Sequence, residues 1–128
     1  MALRLLIAFC LMLAAAGAPA RAQAQAQTAA PFDTSLQRLA EIMGALHYLR
    51  ALCGADDGPR WRLEMQALVD AEAPSGERRT RIVAAFNRGY RGFQTTYRTC
   101  TPAADLAISR HLQEGAKIAR DITARYTN

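Results

Sequence analysis

The stretch DTSLQRLAEIMGALHYLRALCG, residues 33–54, decides the fold. Leu36, Leu39, Ile42/Met43, Leu46, Leu49 and Leu52 recur every three or four positions, which is the period of an α-helix and not the alternation of a strand. Thr34 and Gln37 stand at capping-box spacing, so the helix is expected to open at Asp33-Thr34-Ser35. Gly54 supplies the stop, because glycine enters the left-handed conformation that ends a helix without a Cβ penalty.

The same grammar continues outward. Ala55-Asp56-Asp57-Gly58 reads as a turn, and Pro59 suits a first helical position, which predicts a second helix from Pro59 to about Glu72. Trp61, Met65, Leu68 and Val69 fall on one side of it. Ala73-Pro74-Ser75-Gly76 breaks that helix, and Ser75 is the expected cap of a third running from about Gly76 to Thr99. Ile82, Val83, Phe86, Tyr90, Phe93 and Tyr97 cluster on one of its sides. Gly89 flanks this stripe, which points to a neighbouring helix coming close; Gly92 lies outside it and has no such account.

Thr101-Pro102 opens a fourth helix, with Ile108, Leu112, Gly115, Ala119, Ile122 and Tyr126 as its stripe. No stretch alternates with period two. The expectation is an all-α, antiparallel four-helix bundle of up-down-up-down order over residues 33–128. A chain of 128 residues with 51% apolar positions has material for one packed domain, and excludes multidomain architecture and bulk disorder.

Ahead of the helices, Met1-Ala2-Leu3-Arg4 is a charged start followed by an apolar run from Leu5 to Ala16 and small residues up to Ala20-Arg21-Ala22. This order reads as a signal peptide over residues 1–22, cleaved before Gln23, with Ala18-Pro19-Ala20 as the second choice of site. The run is shorter than the roughly 20 apolar residues that span a bilayer. Cys10 sits in mid-run and leaves with the signal, and the Gln/Ala tract of residues 23–32 reads as a disordered leader. The expected location is therefore the periplasm, with no membrane span after cleavage. The formal charge of +5 overstates the mature domain, since Arg4 and Arg21 leave too. Nucleic acid is not an expected partner.

Two cysteines remain, and they test the topology. Cys53 ends the first helix and Cys100 the third. In an up-down-up-down bundle these helices point the same way, so both cysteines come to one end. An even count in a small exported domain then argues for a Cys53–Cys100 disulfide. As a metal site, the two cysteines with His47 and His111 fall short of a closed structural set. A redox-active Cys-x-x-Cys is absent from the sequence.

No catalytic constellation, metal site or cofactor motif emerges. Ser75-Gly76 and Ser109 lack a nucleophile elbow, and Asp56-Asp57 reads as a solvated turn with Asp57 as a helix cap. His47 reads as a part-buried, hydrogen-bonded residue of the first helix, and His111, with Glu114 at i+3, as a boundary residue. Trp61, Phe86, Tyr90, Phe93 and Tyr97 are needed for the core before they are available to a ligand.

The arginines stand out. Arg78, Arg79, Arg81, Arg88, Arg91 and Arg98 share the third segment with Glu77 as its one acid. On a helical wheel Arg81, Arg88, Arg91 and Arg98 fall opposite the aromatic stripe. Arg60 and Glu64, Arg110 and Glu114, and Lys117 and Asp121 have i+4 spacing, whereas Arg88, Arg91 and Arg98 have no such partner. Against a merely solvated face, these four arginines are the candidate surface for an anionic protein or envelope polymer. The function expected is a non-catalytic periplasmic interaction module. Its alternative is a small-ligand carrier or enzyme with a pocket near His47.

At Leu46-His47-Tyr48-Leu49-Arg50 with Leu52-Cys53-Gly54, at Trp61-Arg62 with Met65, and from Ala85-Phe86-Asn87-Arg88-Gly89-Tyr90-Arg91-Gly92-Phe93 to Tyr97-Arg98-Thr99-Cys100, the chain resembles a known group. That group is an uncharacterised family of small exported alphaproteobacterial proteins with two separated cysteines. The resemblance covers most of residues 35–105. It implies a periplasmic location and a disulfide, and no activity or catalytic residue.

Overall fold

Four helices, α1 (Asp33–Leu52), α2 (Gly58–Glu72), α3 (Gly76–Thr96) and α4 (Pro102–Tyr126), make up the computed structural model, which describes residues 31–127. No strand occurs among the described residues. The expected signal peptide, and the leader up to residue 30, lie outside them.

The up-down-up-down order holds. α1 and α3 run parallel, joined in register from Asp33–Arg78 at one end to Cys53–Cys100 at the other. α2 returns antiparallel to α1, with Gly58 beside His47 and Val69 in the same cluster as Leu36 and Ala40. α4 is antiparallel as well, since Phe32 meets Tyr126 while Leu49 shares a cluster with Ala104 and Ile108.

α1 is the hub. Ile42, Met43, Gly44, Ala45 and Leu46 are all buried, five in succession, because α1 has a neighbour on each side. Along 42–46 α1 is thus buried all round, whereas α3 and α4 bury one stripe each. α1 packs on α2, α3 and α4, while the backbones of α2 and α4, and of α3 and α4, stay apart. The closest pair is α1 with α3, which a square bundle would place across its diagonal. Gly44 and Gly89 make that approach possible.

Several local expectations need correcting. Thr34 does not cap α1; the cap position lies two residues earlier, at Phe32, whose carbonyl accepts from the Leu36 N–H at 2.9 Å. Ser75 and Asp57 occupy their cap positions without a side-chain cap bond, and the Asp57 carboxylate accepts from Arg50 instead. Thr101 does cap α4, its hydroxyl oxygen accepting from the Ala104 N–H at 3.1 Å. α3 stops at Thr96, short of Thr99, because Tyr97 turns extended and carries Cys100 back toward α1. On α4 the buried line is Ala104, Ile108, Gly115 and Ile122, leaving Leu112 and Tyr126 exposed.

Gly54 ends α1 as expected, at φ +79°. The Gly54 N–H donates to Ala51 and the Ala55 N–H to Arg50, the paired bonds of a Schellman motif. Phe32 is part of the folded unit, its ring packed against Tyr126 and under the Arg78 guanidinium.

Candidate functional site

The α3 arginines divide by their partners. Arg78 is half-buried and donates to Asp33 at 2.7 Å, with Glu72 a further 3.8 Å neighbour. Arg79 pairs with Asp70 of α2 at 3.3 Å, and Arg81 with Glu77 one turn back at 3.4 Å. Three of the six charges are thus met by acids, two of them through acids of other elements that adjacent sequence could not reveal. This corrects the picture of six bases facing one acid.

Arg81, Arg88, Arg91 and Arg98 are all exposed, and the first already has its carboxylate. Arg88 reaches Glu41 of α1 at 3.9 Å, a loose contact with the arginine side chain 60% exposed. Arg91 and Arg98 make no ion pair among the described residues. The unmatched part of the face is therefore Arg91 and Arg98, with Arg88 beside them.

At the shared end of α1 and α3, Cys53 and Cys100 are disulfide-bonded with Cα atoms 4.9 Å apart. Asp105, in the first turn of α4, brings a carboxylate to 3.7 Å from the Cys100 sulfur. These three residues are close enough to share a metal ion. The bond between the sulfurs, however, consumes both thiolates that would bind one. Sequence spacing joined the two cysteines but gave no sign of Asp105, which arrives through the turn into α4.

His47 and its aromatic neighbours come together as well. Its Nδ1 lies 2.8 Å from the Gly58 carbonyl oxygen, an acceptor, so Nδ1 carries the proton. The ring stacks at a tilt between Phe86 and Tyr90, with centroids 5.9 and 5.5 Å away. It forms one wall of a cavity of about 380 Å³ between α2 and α3. Met65, Val69, Val83 and Phe86 supply its apolar surface, and Arg62, Gln66 and Asn87 its polar groups. Among the described residues no carboxylate lines it.

Arg62 was not singled out by sequence reasoning, although a signal existed: positions 58 and 66, one turn either side, hold Gly and Gln. His111 is elsewhere, donating to the Ala107 carbonyl at 2.7 Å and standing edge-on to Phe93. A second groove of about 360 Å³, between α2 and α4, includes Trp61, Leu112 and Gly115. Among the described residues no helix is long and apolar enough to cross a membrane.

Comparison with known proteins gives one family. Its profile, described as a protein of unknown function (DUF2385), matches residues 31–126, which takes in all four helices, both cysteines and the exposed arginines. No curated protein and no solved structure matches the chain.

Proposed function

We propose a binding role for this chain, which belongs to the DUF2385 family of proteins of unknown function: a non-catalytic interaction module of the cell envelope that holds an anionic partner on the outer face of α3. The observation that carries this reading is the contrast within one helix. Arg78, Arg79 and Arg81 have carboxylates within 3.4 Å, while Arg91 and Arg98 stand in solvent without one. Unmatched guanidiniums on a rigid helix attract an anion and hold it through charge-assisted, forked hydrogen bonds.

Export is supported by the sequence order of charged start, apolar run and Ala20-Arg21-Ala22. A disulfide between Cys53 and Cys100 suits an oxidising compartment. The partner is an acidic protein surface or an anionic envelope polymer.

Binding of the purified protein to poly-glutamate, measured against salt, tests this reading. Wild type should bind at low ionic strength and release as salt rises, because contacts on an open face are screened within about 8–10 Å. The double variant Arg91→Gln/Arg98→Gln should fold normally, each surface change costing within about 0.5 kcal/mol, and lose most of that binding. Unchanged affinity in the folded variant makes the face a solvated surface and nothing more.

A further inference from the structure

We propose that the groove between α2 and α3 is a binding site for a small amphipathic carboxylate, independent of the basic face of α3. The groove exists because α2 leans on α1 and barely meets α3. Beyond one end, outside the lining, the Asp70–Arg79 ion pair crosses from α2 to α3 at 3.3 Å. At the other end His47 is fixed by the Gly58 carbonyl and flanked by Tyr90. Between these ends α3 contributes Val83 to Tyr90, a length of about 10 Å at 1.5 Å per residue. That span and the volume of about 380 Å³ suit a small molecule, not a docked helix.

Charge then selects the ligand. The half-buried Val83 lies toward the end nearer the ion pair, so the apolar body belongs there, over Phe86. α2 runs antiparallel to α3, so Arg62, two turns before Asp70, comes to the opposite end, with His47 and Tyr90. Arg62 is exposed and makes no ion pair among the described residues, and no acid lines the groove. A guanidinium in a groove of mixed polar and apolar lining, with Val83 and Phe86 half-buried in it, complements a molecule with a carboxylate at one end and a short hydrocarbon body behind it. Asn87 adds an amide donor on the α3 wall, while the Gln66 amide donates to Asp70 at 2.8 Å. A cationic amphiphile finds no partner there, and a neutral one forfeits the Arg62 contact.

The test is titration of isotope-labelled protein, followed by amide NMR shifts, with sodium octanoate, octanol and octylammonium chloride below their aggregation limits. Octanoate should shift amides of Arg62, Gln66, Val83, Asn87 and Tyr90, and bind at least fivefold tighter than octanol. Octylammonium should be weaker than either. Arg62→Gln, a change at an exposed position, should remove the preference for octanoate over octanol while leaving octanol affinity unchanged. The Arg91→Gln/Arg98→Gln variant should bind octanoate as wild type does, which separates this site from the α3 face. Equal binding of octanoate and octanol to wild type overturns the proposal. So does an Arg62→Gln variant with intact preference, a set of shifts confined to the α2–α4 groove around Trp61 and Leu112, or no shift at millimolar octanoate.

Discussion

Gly44 of α1 and Gly89 of α3 stand in reciprocal backbone contact. A Cβ at Gly44 would lie 1.9 Å from the carbonyl oxygen of Phe86, and one at Gly89 the same distance from that of Glu41. Neither obstacle is a side chain that can turn away, so adding a methyl group at either site must push the two helices apart. Alanine is the better helix former by about 1 kcal/mol, but overpacking of this kind costs about 1–3 kcal/mol. Gly44→Ala and Gly89→Ala should therefore each lower the thermal midpoint despite their favourable propensity.

Gly92 provides the opposite sign. A Cβ there meets nothing within 4 Å, and no feature of the structure requires glycine at that position. Gly92→Ala should stabilise the protein by about 0.5–1 kcal/mol, a rise of several degrees in the midpoint for a domain of this size. A fall would show that the end of α3 needs freedom that its packing does not reveal.

The disulfide joins helices that already touch along their length. It spans 47 residues of sequence, for which the chain-entropy account allows at most about 4 kcal/mol. Reduction should lower the unfolding midpoint while leaving the far-ultraviolet helical signal in place at room temperature, since the cluster around Leu36, Ala40 and Met43 lies away from the bridge. Loss of the helical signal on mild reduction would mean that the core alone cannot hold α1 and α3 together.

Asp33 is a charged residue buried to 5% exposure, and Arg78 is the guanidinium that matches it at 2.7 Å. Removing one partner of a buried pair takes that counter-ion from the other charge. Because the Arg78 side chain is itself 26% exposed, Arg78→Ala should cost less than a fully buried case, about 2–3 kcal/mol in urea unfolding. Arg79→Ala, whose partner Asp70 is largely in solvent, should cost under about 1 kcal/mol. Equal effects would place the value of these arginines outside their ion pairs.

Arg38 clamps Glu114 with two hydrogen bonds, of 2.7 and 2.8 Å, and this holds the Glu114 carboxyl below the usual carboxylate range. A depressed carboxyl contributes stability that is complete above its unfolded pKa and disappears as pH falls through the folded one. Both side chains are more than a third exposed, so solvent keeps the contribution small. Glu114→Gln should leave the midpoint near neutral pH slightly lowered and make its decline below about pH 4.5 shallower than wild type. Parallel acid limbs for the two proteins would show that the clamp carries no linkage.

The helices, their order and the bridge were legible in the sequence because each rests on local information. Leu36 to Leu52 repeats with the helical period, Gly54 and Pro102 punctuate, and parallel α1 and α3 put Cys53 and Cys100 at one end whatever the packing details. Exposure of Arg81, Arg88, Arg91 and Arg98 followed from the same wheel that put Ile82 and Phe86 on the opposite side. What needed the tertiary structure depends on distances between segments that no period encodes. Gly89 announced a close approach, but its partner Gly44 and the choice of α3 over α2 or α4 came from the crossing itself. The pairings of Arg78 with Asp33, Arg79 with Asp70 and Arg38 with Glu114 join residues on different helices, so they were invisible to a count of neighbours along the chain. The groove at Arg62 is of the same kind: it arises from the gap between α2 and α3, and a gap between helices is a property of their packing angles and side-chain sizes together, not of either sequence stretch alone.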